Sequence, residues 1–238
     1  MSENTSKKSG STLIHDALIL FVITLVAAVA LGFVYEITKE PIAAAEAEAK
    51  AEAYRAVFPE MVSVERATEP GAVLESPDGY DEDALAFEAE GRAQSSVIDG
   101  HAEYEGVTLD EINYAYDASG SCIGCIMTLT SSKGYGGSIT MTMGVACDGT
   151  LKGIEFLDIS ETAGLGMKAE DEEFKSQFKD VRTDSFSLVK RSIEGTTPVD
   201  AISSATITTT AVTRMVNAGI KCAEYKLTAA GCWEGGNN

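Results

Sequence analysis

The sequence predicts an α+β fold: an antiparallel sheet packed by helices, preceded by a single membrane-spanning helix. Three observations carry this expectation. Residues 17–35 hold no charge, apolar side chains alternate along successive short segments between residues 112 and 159, and an apolar stripe of helical spacing follows residue 206. Strands joined by short turns pair antiparallel, whereas a parallel sheet would need a crossover, usually a helix, between its strands.

The uncharged run would span about 28 Å as a helix, close to the hydrocarbon thickness of a bilayer. Leu18, Ile19, Leu20, Phe21, Val22, Ile23, Leu25 and Val26 make it apolar all round, unlike the one-sided stripe of a surface helix. Lys7 and Lys8 precede it and an acidic chain follows, which places residues 1–16 in the cytoplasm and the bulk of the chain outside the cytoplasmic membrane. A cleaved signal peptide is the rival, with Ala28-Val29-Ala30 as its cleavage site. Both readings export the domain, and the length of the run favours a retained single-pass anchor over residues 17–35.

Thr38-Lys39-Glu40-Pro41 reads as a second helix start with Pro in the first turn, giving a stalk helix over 36–58 that is rich in Ala and Glu and ends before Pro59. Residues 59–111 are acidic and carry the turn signals Glu69-Pro70-Gly71 and Ser76-Pro77-Asp78-Gly79, an irregular elaboration. The main domain is expected over 112–228. Ile112, Tyr114 and Tyr116 form one strand face, Ile123, Cys125, Met127 and Leu129 the next, and Ile139, Met141, Met143 and Val145 a third. Asp148-Gly149 is a hairpin turn into a strand over 151–159. Phe174, Phe178 and Val181 share a face of a helix starting near Ala169, residues 185–190 return as a strand, and Ile207, Ala211, Val212, Met215, Val216 and Gly219 stripe the last helix. Residues 229–238 are a C-terminal tail.

Eighteen basic residues against thirty-seven acidic ones give a formal net charge of -19, which excludes a nucleic-acid partner in the absence of a concentrated basic patch. The five cysteines, Cys122, Cys125, Cys147, Cys222 and Cys232, lack metal-ligand spacing: Cys122-x-x-Cys125 falls in a strand, no second such pair follows, and His15 and His101 are remote. No metal site is therefore expected without ligands from another subunit. The odd count leaves at least one thiol free or intermolecular, and Cys222 with Cys232 either form a disulfide or stay reduced.

Chemistry concentrates where Asp200-Ala201-Ile202-Ser203-Ser204-Ala205-Thr206 runs into the last helix. A Ser or Thr at such a place commonly does no more than cap the helix, a contribution of about 1 kcal/mol. The same position also favours a phosphate, because free N–H groups and the helix dipole face it. Upstream, Gly134-Tyr135-Gly136-Gly137 joins two strands, and Glu161-Thr162-Ala163-Gly164-Leu165-Gly166-Met167-Lys168 lies at a strand-to-helix junction, where glycines admit a ligand close to the backbone and Lys168 offsets negative charge.

The order of these landmarks over residues 113–223 resembles the FMN-binding domain shared by the RnfG and NqrC subunits of membrane redox pumps, and residues 34–41 resemble the segment after the anchor of RnfG proteins. The family more often has Gly at the position of Ser204 and Pro at that of Ala163. The resemblance implies FMN attached covalently through a phosphoester to Thr206, with Ser203, Glu161, Thr162, Leu165, Gly166 and Lys168 lining the cofactor, and no catalytic residue in the strict sense. It implies an electron-relaying subunit of an ion-translocating ferredoxin:NAD oxidoreductase, the other Rnf subunits as partners, and a flavin transferase for maturation. An NqrC-type subunit of a sodium-pumping NADH:quinone reductase is the alternative within the family, and a membrane-anchored surface-binding module without redox chemistry the alternative outside it.

Overall fold

A computed structural model of the chain describes residues 6–66, 104–189 and 195–235; most of the expected acidic elaboration, residues 67–103, lies outside them. The chain divides into two compact units, Met1–Ala49 and Lys50–Asn238.

The first unit is helical throughout its described residues and belongs to α1, Ser6–Val57. The segment Ile14–Val57 is long and apolar enough to cross a membrane, with a peak mean hydropathy of 2.9. Leu18, Phe21, Val29, Leu31 and Phe33 all stand exposed, so this is not a soluble core helix, whose apolar side chains would be covered by protein. The expected second helix start at Thr38 is absent. Thr38 turns its hydroxyl back to the carbonyls of Val34 and Tyr35 instead of capping a new helix, and Pro41 lies inside the continuous one.

The second unit is built on a six-stranded antiparallel meander, β1 Ser63–Arg66, β2 Val107–Tyr116, β3 Cys122–Ser131, β4 Ile139–Ala146, β5 Thr150–Ile159 and β6 Val181–Arg182, in that spatial order. Asp148-Gly149 makes the β4–β5 turn: Gly149 has φ +84°, its N–H bonds Ala146 O, and Asp148 Oδ1 accepts from Thr150 N–H. The last helix, α3 Thr206–Ala229, covers one face. Its Ala211, Val212, Met215 and Val216 are buried with Met127, Leu129, Met141 and Met143 of β3 and β4, the alternation expected from the sequence. The end of α1 covers the other face, where Tyr54, Val57 and Phe58 pack with Ala115 and Ile126.

Four expectations are corrected. Ile123 packs in this second cluster instead of sharing a face with Cys125, because the β2–β3 register shifts between Ala115 and Tyr116. The helix expected from Ala169 is broken into a 3₁₀ turn Gly166–Glu170, the short α2 Glu172–Lys175 and a 3₁₀ turn Ser176–Phe178, with Asp171 extended between the first two. Phe174 and Phe178 are buried as expected, in edge-to-face contact at 5.4 Å, but Val181 belongs to β6. The strand after residue 185 is β7 Phe186–Leu188, and it pairs in parallel with β8 Thr197–Val199 in a separate ribbon. The Asn217 side chain ties that ribbon to α3, accepting from Phe186 N–H at 2.8 Å and donating to Phe186 O at 2.9 Å. Finally, Ile207 leaves the buried stripe and is 53% exposed, since the first turn of α3 overhangs a cavity.

Candidate functional site

That cavity, about 430 Å³, lies among three loops: the β3–β4 turn, the segment after β5 and the start of α3. It is within the range of small-molecule sites, roughly 300–1,000 Å³. Tyr135, Glu161, Thr162, Leu165, Gly166 and residues 204–208 line it.

Glu161 holds the first two loops together. Its Oε1 accepts Tyr135 N–H at 2.7 Å and its Oε2 accepts Gly136 N–H at 3.2 Å. The glycines allow this closeness: a Cβ on Gly136 would overlap Ser160 O, and one on Gly166 would stand 2.8 Å from Glu161 Cβ, Glu161 Oε2 and Thr208 Oγ1. The Thr162 carbonyl closes the third side, accepting from Leu165 N–H and Met167 N–H.

The start of α3 is shaped by a turn from Ile202 to Ala205, closed by Ala205 N–H to Ile202 O at 3.0 Å. Its third residue, Ser204, has φ +64°, a left-handed conformation that glycine adopts without penalty. Thr209 fastens this turn from inside the helix, accepting Ile202 N–H at 3.1 Å and donating to Ala205 O at 2.9 Å. The Thr209 N–H to Ala205 O bond begins the helical ladder, so the N–H groups of Thr206, Ile207 and Thr208 precede it. Ala205, at the cap position, offers no side-chain acceptor. Thr206 is exposed while Thr208 and Thr209 are buried. The cavity therefore joins an anion-favouring helix start and an accessible hydroxyl to the exposed apolar side chains of Tyr135, Leu165 and Ile207.

Of the residues singled out from the sequence, Thr206, Glu161, Thr162, Leu165 and Gly166 meet here. Lys168 and Ser203 do not. They line a neighbouring cavity of about 350 Å³ with Asp171, Glu173, Phe174, Gln177, Asp200, Ala201 and Ile202. The 3₁₀ turn starting at Gly166 carries Lys168 to that side. Gln177 supports the wall between them by accepting Asp200 N–H at 2.7 Å. Tyr135 and Ile207 were missed as lining residues; the first stands inside the Gly-rich turn that marked the region, and the second is the residue after Thr206. The cysteine spacing also misled, because Cys122, Cys147 and Cys232 converge in space, and Cys232 stands with them and not in a disulfide with Cys222.

Comparison with known proteins agrees with this arrangement. Residues 134–221 match the FMN-binding domain and residues 1–57 the RnfG N-terminal region. The chain is 38% identical over 90 residues to the G subunit of the proton-translocating ferredoxin:NAD(+) oxidoreductase complex of Clostridium ljungdahlii, a match covering 38% of this chain and 48% of that protein. It is 27% identical over 206 residues to the G subunit of the Na(+)-translocating ferredoxin:NAD(+) oxidoreductase complex of Acetobacterium woodii, covering 86% and 88%, respectively. To the G subunit of the ion-translocating oxidoreductase complex of Methanosarcina acetivorans it is 29% identical, covering 57% and 76%. The solved structure of Shewanella oneidensis NqrC aligns over 75% of this chain and 88% of that one, with a TM-score of 0.46 and 20% identity. With both regions present in order, and with three relatives that each hold the same place in such a complex, the chain belongs to the RnfG family of proteins carrying an FMN-binding domain.

Proposed function

We propose that this protein is the single-pass, FMN-carrying electron-transfer subunit of an ion-translocating ferredoxin:NAD oxidoreductase, with FMN joined by a phosphoester to Thr206 and the FMN domain on the outer side of the cytoplasmic membrane. The observation that carries this is the exposed Thr206 at the first position of an uncapped 24-residue helix, inside a cavity with apolar walls. The residues fit the group. The N–H groups of Thr206, Ile207 and Thr208 and the dipole of α3 would hold the phosphoryl oxygens, the glycines leave room beside the backbone, and Leu165, Ile207 and Tyr135 would cover apolar ring surface. Bound flavin supplies exchange of one or two electrons, while the protein fixes its position and electrostatic surroundings.

Partner subunits would supply ferredoxin oxidation, NAD reduction and the ion path, and a flavin transferase would modify the Thr206 hydroxyl. The names of the relatives and the N-terminal apolar helix support this assignment. The test is denaturing electrophoresis of the full-length protein, coexpressed with its transferase and viewed under ultraviolet light. A fluorescent band that survives denaturation and vanishes in Thr206→Ala is expected; absence of covalent flavin from the native chain would overturn the attachment.

A further inference from the structure

At the opposite ends of β3 and β4 from the cavity, three cysteines from separate parts of the chain meet. Cys122 opens β3, Cys147 begins the β4–β5 turn, and Cys232 lies beyond the end of α3, yet their Sγ atoms all stand within 4.8 Å of one another. Backbone hydrogen bonds fix each one. Cys147 N–H bonds Ile123 O at 3.1 Å, and past Gly231, at φ +69°, the N–H groups of Cys232 and Trp233 both return to Leu227 O. Glu234 N–H then bonds Cys147 O at 2.7 Å, and the Arg182 guanidinium donates to Gly235 O at 3.4 Å. The tail is thus folded back onto the hairpin with its one thiol delivered to the other two.

We propose that Cys122, Cys147 and Cys232 form a three-thiolate site for a thiophilic divalent cation of the zinc class, which fastens the C-terminal tail to the β4–β5 hairpin. Three sulfurs bound tetrahedrally at about 2.3 Å from one ion stand about 3.8 Å apart, so each pair here needs to close by no more than about 1 Å. An all-sulfur set selects soft or borderline cations over magnesium or calcium. All three residues are half-buried, sheltered yet open to an arriving ion. On binding, three S–H bonds break and three metal–sulfur bonds form, three protons pass to solvent, no electron moves, and water completes the fourth position. A disulfide would use only two of the thiols and require an oxidant.

The electrostatics agree with this chemistry. Burial first, and then the neighbouring Cys122, push Cys147 up to about 12 and Cys232 up to about 11, so each thiol keeps its proton until a cation replaces it.

The site is independent of the flavin assignment, and Co2+ provides a spectroscopic probe for it. Titrated into metal-free, thiol-reduced, full-length protein, Co2+ is expected to give a sulfur-to-cobalt charge-transfer band in the near ultraviolet, saturating at one ion per chain and bleached by Zn2+. Cys232→Ser should weaken binding by about a hundredfold, with the circular dichroism of the sheet unchanged. In the native chain, Zn2+ should slow alkylation of Cys122, Cys147 and Cys232 together, a readout that does not depend on the variant folding. Absence of the band from folded, reduced protein, an undiminished band in folded Cys232→Ser, or Zn2+ protection of fewer than three of these thiols would each overturn the proposal.

Discussion

Glu161 accepts the backbone N–H of Tyr135 at 2.7 Å, joining the segment after β5 to the β3–β4 turn across 26 residues of sequence. The second carboxylate oxygen takes Gly136 N–H, so one side chain sets the width of the cavity mouth. Glu161→Gln keeps one acceptor but presents an NH₂ group to the other N–H. We expect a loss of about 1 kcal/mol, the scale of a solvent-accessible charge-assisted bond, with a larger proportional fall in flavin content. Thermal unfolding and flavin absorbance measured on the same preparation check this; full flavin loading in the variant would show that the turn does not need the clamp.

Gly166 permits the approach of Glu161 to Thr208. In Gly166→Ala the added methyl meets Glu161 Cβ, not merely the tip of a mobile side chain, at 2.8 Å. Overpacking of this kind costs about 1–3 kcal/mol. Covalent flavin should be reduced while the far-ultraviolet circular dichroism stays native, and unaltered flavin loading would show that this approach is dispensable.

Ser204 holds φ +64° without being glycine. A left-handed residue with a Cβ costs about 1–2 kcal/mol, of which the greater freedom of unfolded glycine offsets about 0.5–1 kcal/mol. Ser204→Gly should therefore stabilise the protein by about 0.5–1 kcal/mol and raise Tm by about 2 °C. A lowered Tm would mean that the Ser204 side chain contributes more than its backbone strain costs.

Lys175 stands between Glu155, at 2.9 Å and 3.0 Å, and Glu172, at 2.8 Å. Burial alone would lower its pKa, but the hydrogen bonds to Glu172 and Glu155 prevail and raise it above 10.5; the same bond to Lys175 lowers Glu172 below 4.5. The raised lysine contributes stability that is present below pH 10.5 and lost as pH rises through its folded value. The depressed glutamate contributes stability that is present above pH 4.5 and lost as pH falls through its folded value. Lys175→Met should cost about 1 kcal/mol, screened by solvent, and urea unfolding should show the deficit shrinking at both extremes of pH. A deficit independent of pH would assign the loss to packing.

The period of Met127, Leu129, Met141 and Met143 reveals the sheet because each lies in a strand with an unshifted register. Ile123 shows the limit of that logic: one irregularity opposite Ala115 and Tyr116 moves it to the other face, and no local pattern announces it. The cavity was legible at Thr206, Glu161 and Gly166, where small residues, a turn and a helix start must coincide. Lys168 was not, since the tight turn from Gly166 decides which side of the loop it serves. Cys122, Cys147 and Cys232 were hidden for a related reason: the return of the tail depends on hydrogen bonds to Leu227 O and Cys147 O that spacing cannot encode.

Thr209 gives the hydroxyl cluster its regioselectivity. By spending its oxygen on Ile202 N–H and Ala205 O it withdraws from competition, Thr208 is withdrawn by burial, and Thr210 donates its own hydroxyl to Thr206 O at 2.7 Å. Of four threonines crowded into five residues, Thr206 alone is exposed. An enzyme modifying the folded chain would have no need to tell one threonine from another, because the fold has already made the choice.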